Sequence, residues 1–305
     1  MVLSTMNAWW VKTVAQNPAD VQAFDLNLFG NGAVLGCDFT GTVERLSKDV
    51  TKVSEGDTIA GLIWGGEVKG LGAFGEYTKA HEDLNRSTGA LTAWLAFFSK
   101  DSLNIARDKL DTTILIWGGS LSVGQYAIQI AAIFGFQVIT TCSPRNFDVL
   151  RSLGATHVFD YSDSDVVKSI KDVAPSLRCV FDTIGTKTSS VTASQAIDEN
   201  GGTLTTTRPD KSFTENVTKQ TKVTPVLVWT AFNIFIQYKE AQFQASEDDH
   251  KLGVEFNEKL PGWIEEGKIK PNKPKDLPAG LNAAVKGFQE HRDGKISGYK
   301  LVYEL

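Results

Sequence analysis

Between Thr113 and Thr206 the sequence repeats one cycle: a short run rich in branched and aromatic residues, a turn, a segment with helical spacing, then another short run. Strands are expected at 113–117, 136–141, 157–160, 179–183 and 202–206, and helices at 123–134, 146–153, 163–173 and 188–198. Strands that alternate with helices over short connections form a parallel sheet covered on both faces. Repeated in this way they give a doubly wound α/β domain, in which ligands bind beyond the carboxyl ends of the strands.

The first strand-to-helix turn of that domain carries its most specific chemistry. The run Ile114–Trp117 ends in Gly118 and Gly119, and from Val123 a helix begins in which Val123, Tyr126, Ala127, Ile130, Ala131 and Phe134 form one apolar stripe. Such a stripe lies against the sheet. The loop therefore sits at a helix N-terminus, where free N–H groups and the helix dipole favour an anion. Gly119 is expected to permit the tight turn, and Gly124 to let helix and strand approach. Leu121 stands where the dinucleotide fingerprint has its middle glycine. Its side chain would hold a pyrophosphate off, and the hydroxyls of Ser120 and Ser122 offset part of that loss. On this loop alone a dinucleotide site and a plain strand–helix turn are equally open.

The end of the next strand adds a second signal. An NAD site places an acid there to grip the adenosine ribose, whereas an NADP site lacks the acid and supplies polar and basic groups. Here the strand runs into Ser143, Pro144, Arg145 and Asn146, with no acid at its end. A guanidinium fork and hydroxyl donors suit a doubly charged 2'-phosphate, so NADPH is expected rather than NADH. A helix-capping turn would explain Ser143 and Pro144 but not the missing acid.

Composition narrows the partners. With a net charge of -5 and no dense Lys/Arg face, nucleic acid is not expected as a partner, and a small molecule is. The three cysteines, Cys37, Cys142 and Cys179, are widely spaced and read as reduced, mostly buried thiols. The N-terminus lacks the basic start and long apolar run of a signal peptide. The longest apolar segment, 223–236, is interrupted by Thr224, Pro225, Thr230 and Asn233 and is too short to span a bilayer. A soluble, cytoplasmic protein without a membrane partner is expected. Up to about Ala80 the chain is rich in Gly, Val, Ile and Thr and reads as a small β-rich domain. The tail from Leu281 holds a helix pattern, a turn and a last strand that returns to it.

The motifs "GCDFTGTV", "ILIWGGSLSVGQYAIQIA", "TCSPRNFDVLRSLGATHVFDY" and "EGKIKP...GKISGYKLVYEL" occur in order along nearly the whole chain. Together they resemble the fungal trans-enoyl reductase group, within the zinc-independent medium-chain dehydrogenase/reductase superfamily that includes the quinone oxidoreductases. The resemblance implies a smaller GroES-like β-rich domain over 1–90, an NADPH-binding Rossmann domain over 91–245, and a segment 246–305 that completes the second and returns to the first. It places cofactor contacts at Asp20, Gly119, Ser120, Leu121, Ser122, Val123, Gly124, Ser143, Pro144, Arg145, Asn146 and Tyr161, with Thr207 and Arg208 on the nicotinamide side and Ile296 and Ser297 in a closing turn. Gly89, Leu91, Thr92, Ala93, Val228, Trp229, Thr230 and Phe232 take the places that line the substrate pocket. A polyketide synthase partner is also implied.

Zinc-dependent members carry Gly-His-Glu where this chain has Gly36-Cys37-Asp38, and they add a four-cysteine lobe. With no histidine near Cys37 and no cysteine cluster, no zinc is expected. The motif Asn17-Pro18-Ala19-Asp20 comes early, so the start of the β-rich domain is expected to be missing. Val21 and Gln22 stand in place of a Trp-Lys pair, and a second shortening lies near 84–88. The reaction implied is hydride transfer to the β-carbon of an α,β-unsaturated thioester or ketone. No proton donor stands out; Thr230 and Tyr77 are the polar candidates. Quinone or enone reduction and a shortened, non-catalytic NADPH-binding protein are the alternatives. The segment 224–236 is apolar enough for a subunit interface, so a homodimer is expected.

Overall fold

Met6–Ala15 (β1) is a ten-residue strand that precedes the Asn17-Pro18 motif in the computed structural model of the protein, which describes residues 6–84, 87–109, 111–238 and 240–305. This strand is the centre of the sheet of the β-rich part. One edge of β1 pairs with Asp38–Arg45 (β2), which pairs in turn with Thr58–Leu62 (β3). Its other edge is shared: residues 6–10 pair with Tyr77–His81 (β4), and residues 13–15 with the C-terminal strand described below. Irregular register at Ala8/Trp9 and Val11/Thr13 bends β1 and lets one strand serve both neighbours. Between β1 and β2 lies helix α1 (Pro18–Asp25), with Pro18 in its first turn, where the missing N–H costs nothing.

Helix α2 (Thr88–Phe98) opens the central part of the chain. The cycle read from the sequence follows: Thr113–Trp117 (β5), Ser122–Ile133 (α3), Gln137–Cys142 (β6), Phe147–Ser152 (α4), His157–Asp160 (β7), Val166–Val173 (α5), Cys179–Asp182 (β8), Ser189–Ser194 (α6) and Gly202–Thr206 (β9). Thr221–Pro225 (β10) adds a sixth strand, and the sheet order is β10-β9-β8-β5-β6-β7, parallel throughout. Leu115, Ile139, Val180 and Leu204 from this sheet pack with Ile170, Leu177, Ala193 and Ile197 from one covering layer. A short hairpin, Ile236–Tyr238 (β11) with Ala241–Phe243 (β12), and the long helix Glu247–Glu265 (α7) complete this part. Ser246 caps α7 by accepting the Asp249 N–H at 3.2 Å.

The chain ends with Pro274–Asp276 (β13), Asn282–Arg292 (α8) and Lys300–Glu304 (β14), and β14 is the strand that pairs with the second half of β1. The molecule thus divides into two compact units, Met1–Thr88 with Asn272–Leu305, and Gly89–Pro271. The first is antiparallel apart from the β13–β14 pair, with a core of Val11, Val14, Phe39, Val43, Ile63 and Tyr303. Of the second shortening expected near 84–88, Asn85 and Arg86 lie outside the described residues. Among the described residues no helix is long and apolar enough to cross a membrane.

Candidate cofactor and substrate sites

In the parallel unit the glycine loop joins β5 to α3. The left-handed turn falls on Gly118 (φ +93°) and not on Gly119 as expected. A Cβ on Gly118 would meet Ile184 Cγ1 at 2.6 Å and Thr183 Oγ1 at 2.7 Å, so both conformation and space require glycine. Gly119 is a packing glycine against Thr140 Oγ1 and Leu150, and Gly124 brings α3 onto the Gly118 carbonyl. Leu121 is the N-cap of α3, in an extended conformation and with no side-chain cap. The first-turn N–H groups of Val123 and Gly124 are consequently left for a ligand, with the helix dipole behind them. Gln125 braces the loop by donating from its side chain to the Ser120 carbonyl at 3.0 Å. A loop of this shape fits a pyrophosphate despite Leu121, because the donors are main-chain groups.

Strand order sorts the remaining expected cofactor residues. In a doubly wound sheet the half on the β6 and β7 side of the loop receives the adenosine part of a dinucleotide, and the half on the β8 and β9 side the other mononucleotide. Ser143 to Asn146 follow β6 as a single 3-10 turn. Arg145 is exposed there and forms no ion pair with any described acid. Tyr161, 51% exposed, follows β7 beside Asp160, whose carboxylate is held below its usual range by hydrogen bonds from the Ser162 N–H and hydroxyl. Thr207 and Arg208 follow β9 on the opposite half. Thr207 donates its N–H to the Asp182 carbonyl, and Arg208 Nε donates to the Gly185 carbonyl at 2.7 Å.

The expected substrate residues do not converge on one open surface. Leu91 and Ala93 are fully buried in α2, and Trp94 and Phe97 belong to a ring cluster with Phe98, Phe134, Phe256 and Trp263. Arg107 caps that cluster, 4.8 Å above Trp94, while paired with Glu255. Gly89 and Thr92 are buried on the same helix, and a Cβ at Gly89 would sit 2.8 Å from Ser122 Oγ, beside the glycine loop. Val228, Trp229, Thr230 and Phe232 form a 3-10 turn after β10. Thr230 lines a cavity of about 540 Å³ with Leu95, Ser99, Ser102, Leu227 and Asp249. Its hydroxyl is already committed to the Leu227 carbonyl at 2.9 Å.

The β-rich unit holds a buried polar knot that motif reading did not find. Asp20 accepts the Asn17 N–H at 2.7 Å and the Cys37 thiol, Lys300 donates to Asn17 Oδ1 at 2.9 Å and to Asp38, and Asp38 also accepts the Thr88 N–H and hydroxyl. Burial, and then the neighbouring Asp38, raise Asp20 to about 6; burial also pushes the Cys37 thiol well above its ordinary value. His291, nearby on α8, is lowered to about 4 by burial and by Lys300. Asp20 is thus a core residue of this unit, 1% exposed. Ile296 and Ser297 lie in the turn between α8 and β14, and Tyr77 is 58% exposed on β4. Only the early Asn-Pro-x-Asp spacing hinted at the knot.

Two family models match the chain: an alcohol dehydrogenase GroES-like domain over residues 10–86 and a zinc-binding dehydrogenase domain over 122–223. The trans-enoyl reductase ACTTS2 of Alternaria alternata is 30% identical over 97% of this chain and 90% of its own length. The trans-enoyl reductase fsa3 of a Fusarium species is 33% identical over 96% and 90%. The chain belongs to the trans-enoyl reductase family. Its place in the medium-chain dehydrogenase/reductase superfamily makes it an oxidoreductase of a class that uses nicotinamide cofactors. Among solved structures, the CurK enoyl reductase superposes with a TM-score of 0.72 at 17% identity, covering 98% of this chain and 90% of that one. A quinone oxidoreductase of Pseudomonas syringae gives 0.73 at 19%, covering 99% and 92%, and both show the shared fold.

Proposed function

We propose that the protein reduces the carbon–carbon double bond of an α,β-unsaturated thioester or ketone, with NADPH as hydride donor and without zinc. The observation that carries the cofactor choice is the end of β6, where Arg145 is exposed and forms no ion pair among the described residues, and no acid stands at the strand end. The glycine loop, with its uncapped helix N-terminus, supports a pyrophosphate one strand away. The full-length match to trans-enoyl reductases supports the acceptor class.

NADPH would be held by the first-turn N–H groups of α3 and by Arg145 and Ser143, with Tyr161 beside the adenosine. When bound, it supplies the hydride. The chain's own residues bind and orient, and they must stabilise negative charge on the acceptor's carbonyl oxygen. The zinc-free reading is supported by the state of the donors beside the β2 start: Asp38 is engaged by Lys300 and Thr88, and Cys37 by Asp20. The test is turnover of crotonyl and cinnamoyl thioesters against quinones at equal NADPH. Preference for the thioesters is expected; reduction of quinones alone would overturn the acceptor assignment.

A further inference from the structure

Arg208 is an expected cofactor residue whose surroundings hold its side chain in place. Gly185, in the left-handed region at φ +62°, has no Cβ, and a Cβ there would lie 2.7 Å from Arg208 Cγ and 3.0 Å from Nε. The arginine stem therefore lies flat on the Gly185 backbone, with Nε donating to the carbonyl beneath it at 2.7 Å. That shelf is itself fixed. Asp182 Oδ1 accepts the N–H groups of Ile184 and Gly185 at 3.0 and 3.1 Å, while Oδ2 accepts the hydroxyls of Ser189 and Ser190.

The Phe213 ring lies 5.6 Å from the guanidinium carbon. Reaching that position takes Lys211 at φ +55° and Phe213 at φ +70°, two side-chain-bearing residues in the left-handed region. The guanidinium is held by the shelf and lies against the ring, and among the described residues no carboxylate pairs with it and nothing accepts from its two terminal nitrogens. A fixed cation with two open donors, at the carboxyl ends of β8 and β9, faces the half of the sheet opposite Arg145. Thr183, two residues before Gly185, donates to the Gly118 carbonyl at 3.0 Å, which ties the shelf to the glycine loop.

We propose that the terminal nitrogens of Arg208 are the donors that take the substrate's carbonyl oxygen as negative charge develops on it. This deepens the enoyl reductase reading and rests on it. The acceptor gains a hydride at its β-carbon as the donor's C–H bond breaks. The alkene pair moves to the bond between the α-carbon and the carbonyl carbon, and the carbonyl pair moves to oxygen. A proton from solvent then completes the α-carbon, so the alkene is reduced and the nicotinamide oxidised by two electrons. Oriented donors at such an oxygen are worth far more in the transition state than in the ground state.

The test compares the full chain with Arg208→Gln and Arg208→Lys by three readouts: NADPH titration, kcat with a crotonyl thioester, and the ultraviolet enolate band of bound acetoacetyl thioester. Arg208→Gln should lower kcat by about 100- to 1000-fold, leave the NADPH Kd within about twofold, and abolish the enolate band seen with the native protein. Arg208→Lys should restore part of both. Unchanged NADPH binding also shows that each variant is folded. An unchanged kcat in Arg208→Gln overturns the proposal, and so does a raised NADPH Kd with kcat intact, which would assign Arg208 to the cofactor. If the native protein reduces no unsaturated thioester, the enoyl reductase reading fails. The enolate band then decides for Arg208 without turnover: its loss in Arg208→Gln supports the donor role, and its persistence overturns it.

Discussion

The two units differ in how they satisfy a buried acid. In the parallel unit Asp182, fully buried, accepts from two backbone N–H groups and two serine hydroxyls. In the β-rich unit one oxygen of the buried acid, Asp20 Oδ1, has no hydrogen bond among the described residues, and neither do Gln16 Oε1, Asn17 Nδ2, His291 Nε2 and the Tyr303 hydroxyl; Trp94 Nε1 and Asp249 Oδ1 are like groups of the parallel unit. A satisfied buried acid adds rigidity, whereas orphaned groups keep the cost of desolvation. Asp182 therefore makes a stiff platform of the chain beneath the Arg208 shelf. The β-rich unit instead relies on the ion pair of Lys300 with Asp38 to keep its buried charges compatible.

That contrast can be broken at the ion pair. Lys300→Met leaves Asp38 buried beside Asp20 with no cation, and should cost about 3–5 kcal/mol of stability, measured by denaturant unfolding. Asp182→Ala in the other unit strands the N–H groups of Ile184 and Gly185 and the Ser190 hydroxyl, and leaves the Ser189 hydroxyl only a long contact to the Thr186 carbonyl at 3.4 Å. A loss of about 2–3 kcal/mol is expected there, accompanied by weaker thioester turnover because the Gly185 shelf loosens. If Lys300→Met proves neutral while Asp182→Ala is severe, the assignment of the vulnerable unit is reversed.

Acid sharpens the comparison, because the β-rich unit carries two shifted groups of opposite sign. Asp20, raised from 3.8 to about 6, binds its proton more tightly when folded. Its contribution is present at low pH and is lost as the pH rises through 6. His291, lowered from 6.5 to about 4, binds its proton less tightly when folded, so stability is lost as the pH falls through that window. Each amounts to about 3 kcal/mol at most, and in the native chain they largely cancel. Asp20→Asn should therefore unmask a steep loss of stability between pH 6.5 and 4, and His291→Gln the opposite slope. Parallel pH profiles for native and both variants would contradict the shifts.

The smallest expected effect is on the exposed surface of the platform. Arg145→Ala should weaken NADPH by about 10- to 100-fold, the worth of a charge-assisted contact. It should leave NADH binding and the unfolding curve unchanged.

Much of the platform was legible in the sequence because its strands are short apolar runs with unambiguous turns, and α3 shows a single apolar stripe. Other features depend on partners distant in the chain. Which of two adjacent glycines turns left-handed is set by Thr183 and Ile184, just past the end of the neighbouring strand β8. Helix α7 escaped notice because Pro261 lies inside it and its first turn is acidic, although Phe256 and Leu260 bury one face. The polar knot joins Asn17 to Lys300 across 283 positions, and no local pattern announces such a contact. Arg208 was visible as a residue near the nicotinamide side, but its shelf at Gly185 and its backing by Phe213 needed the fold.

The most direct test of the account is a fluorescence titration of the purified protein with NADPH and with NADH. The account predicts NADPH binding at least about tenfold tighter, a preference that Arg145→Ala abolishes. Equal affinity for the two, or a preference that survives Arg145→Ala, would contradict it.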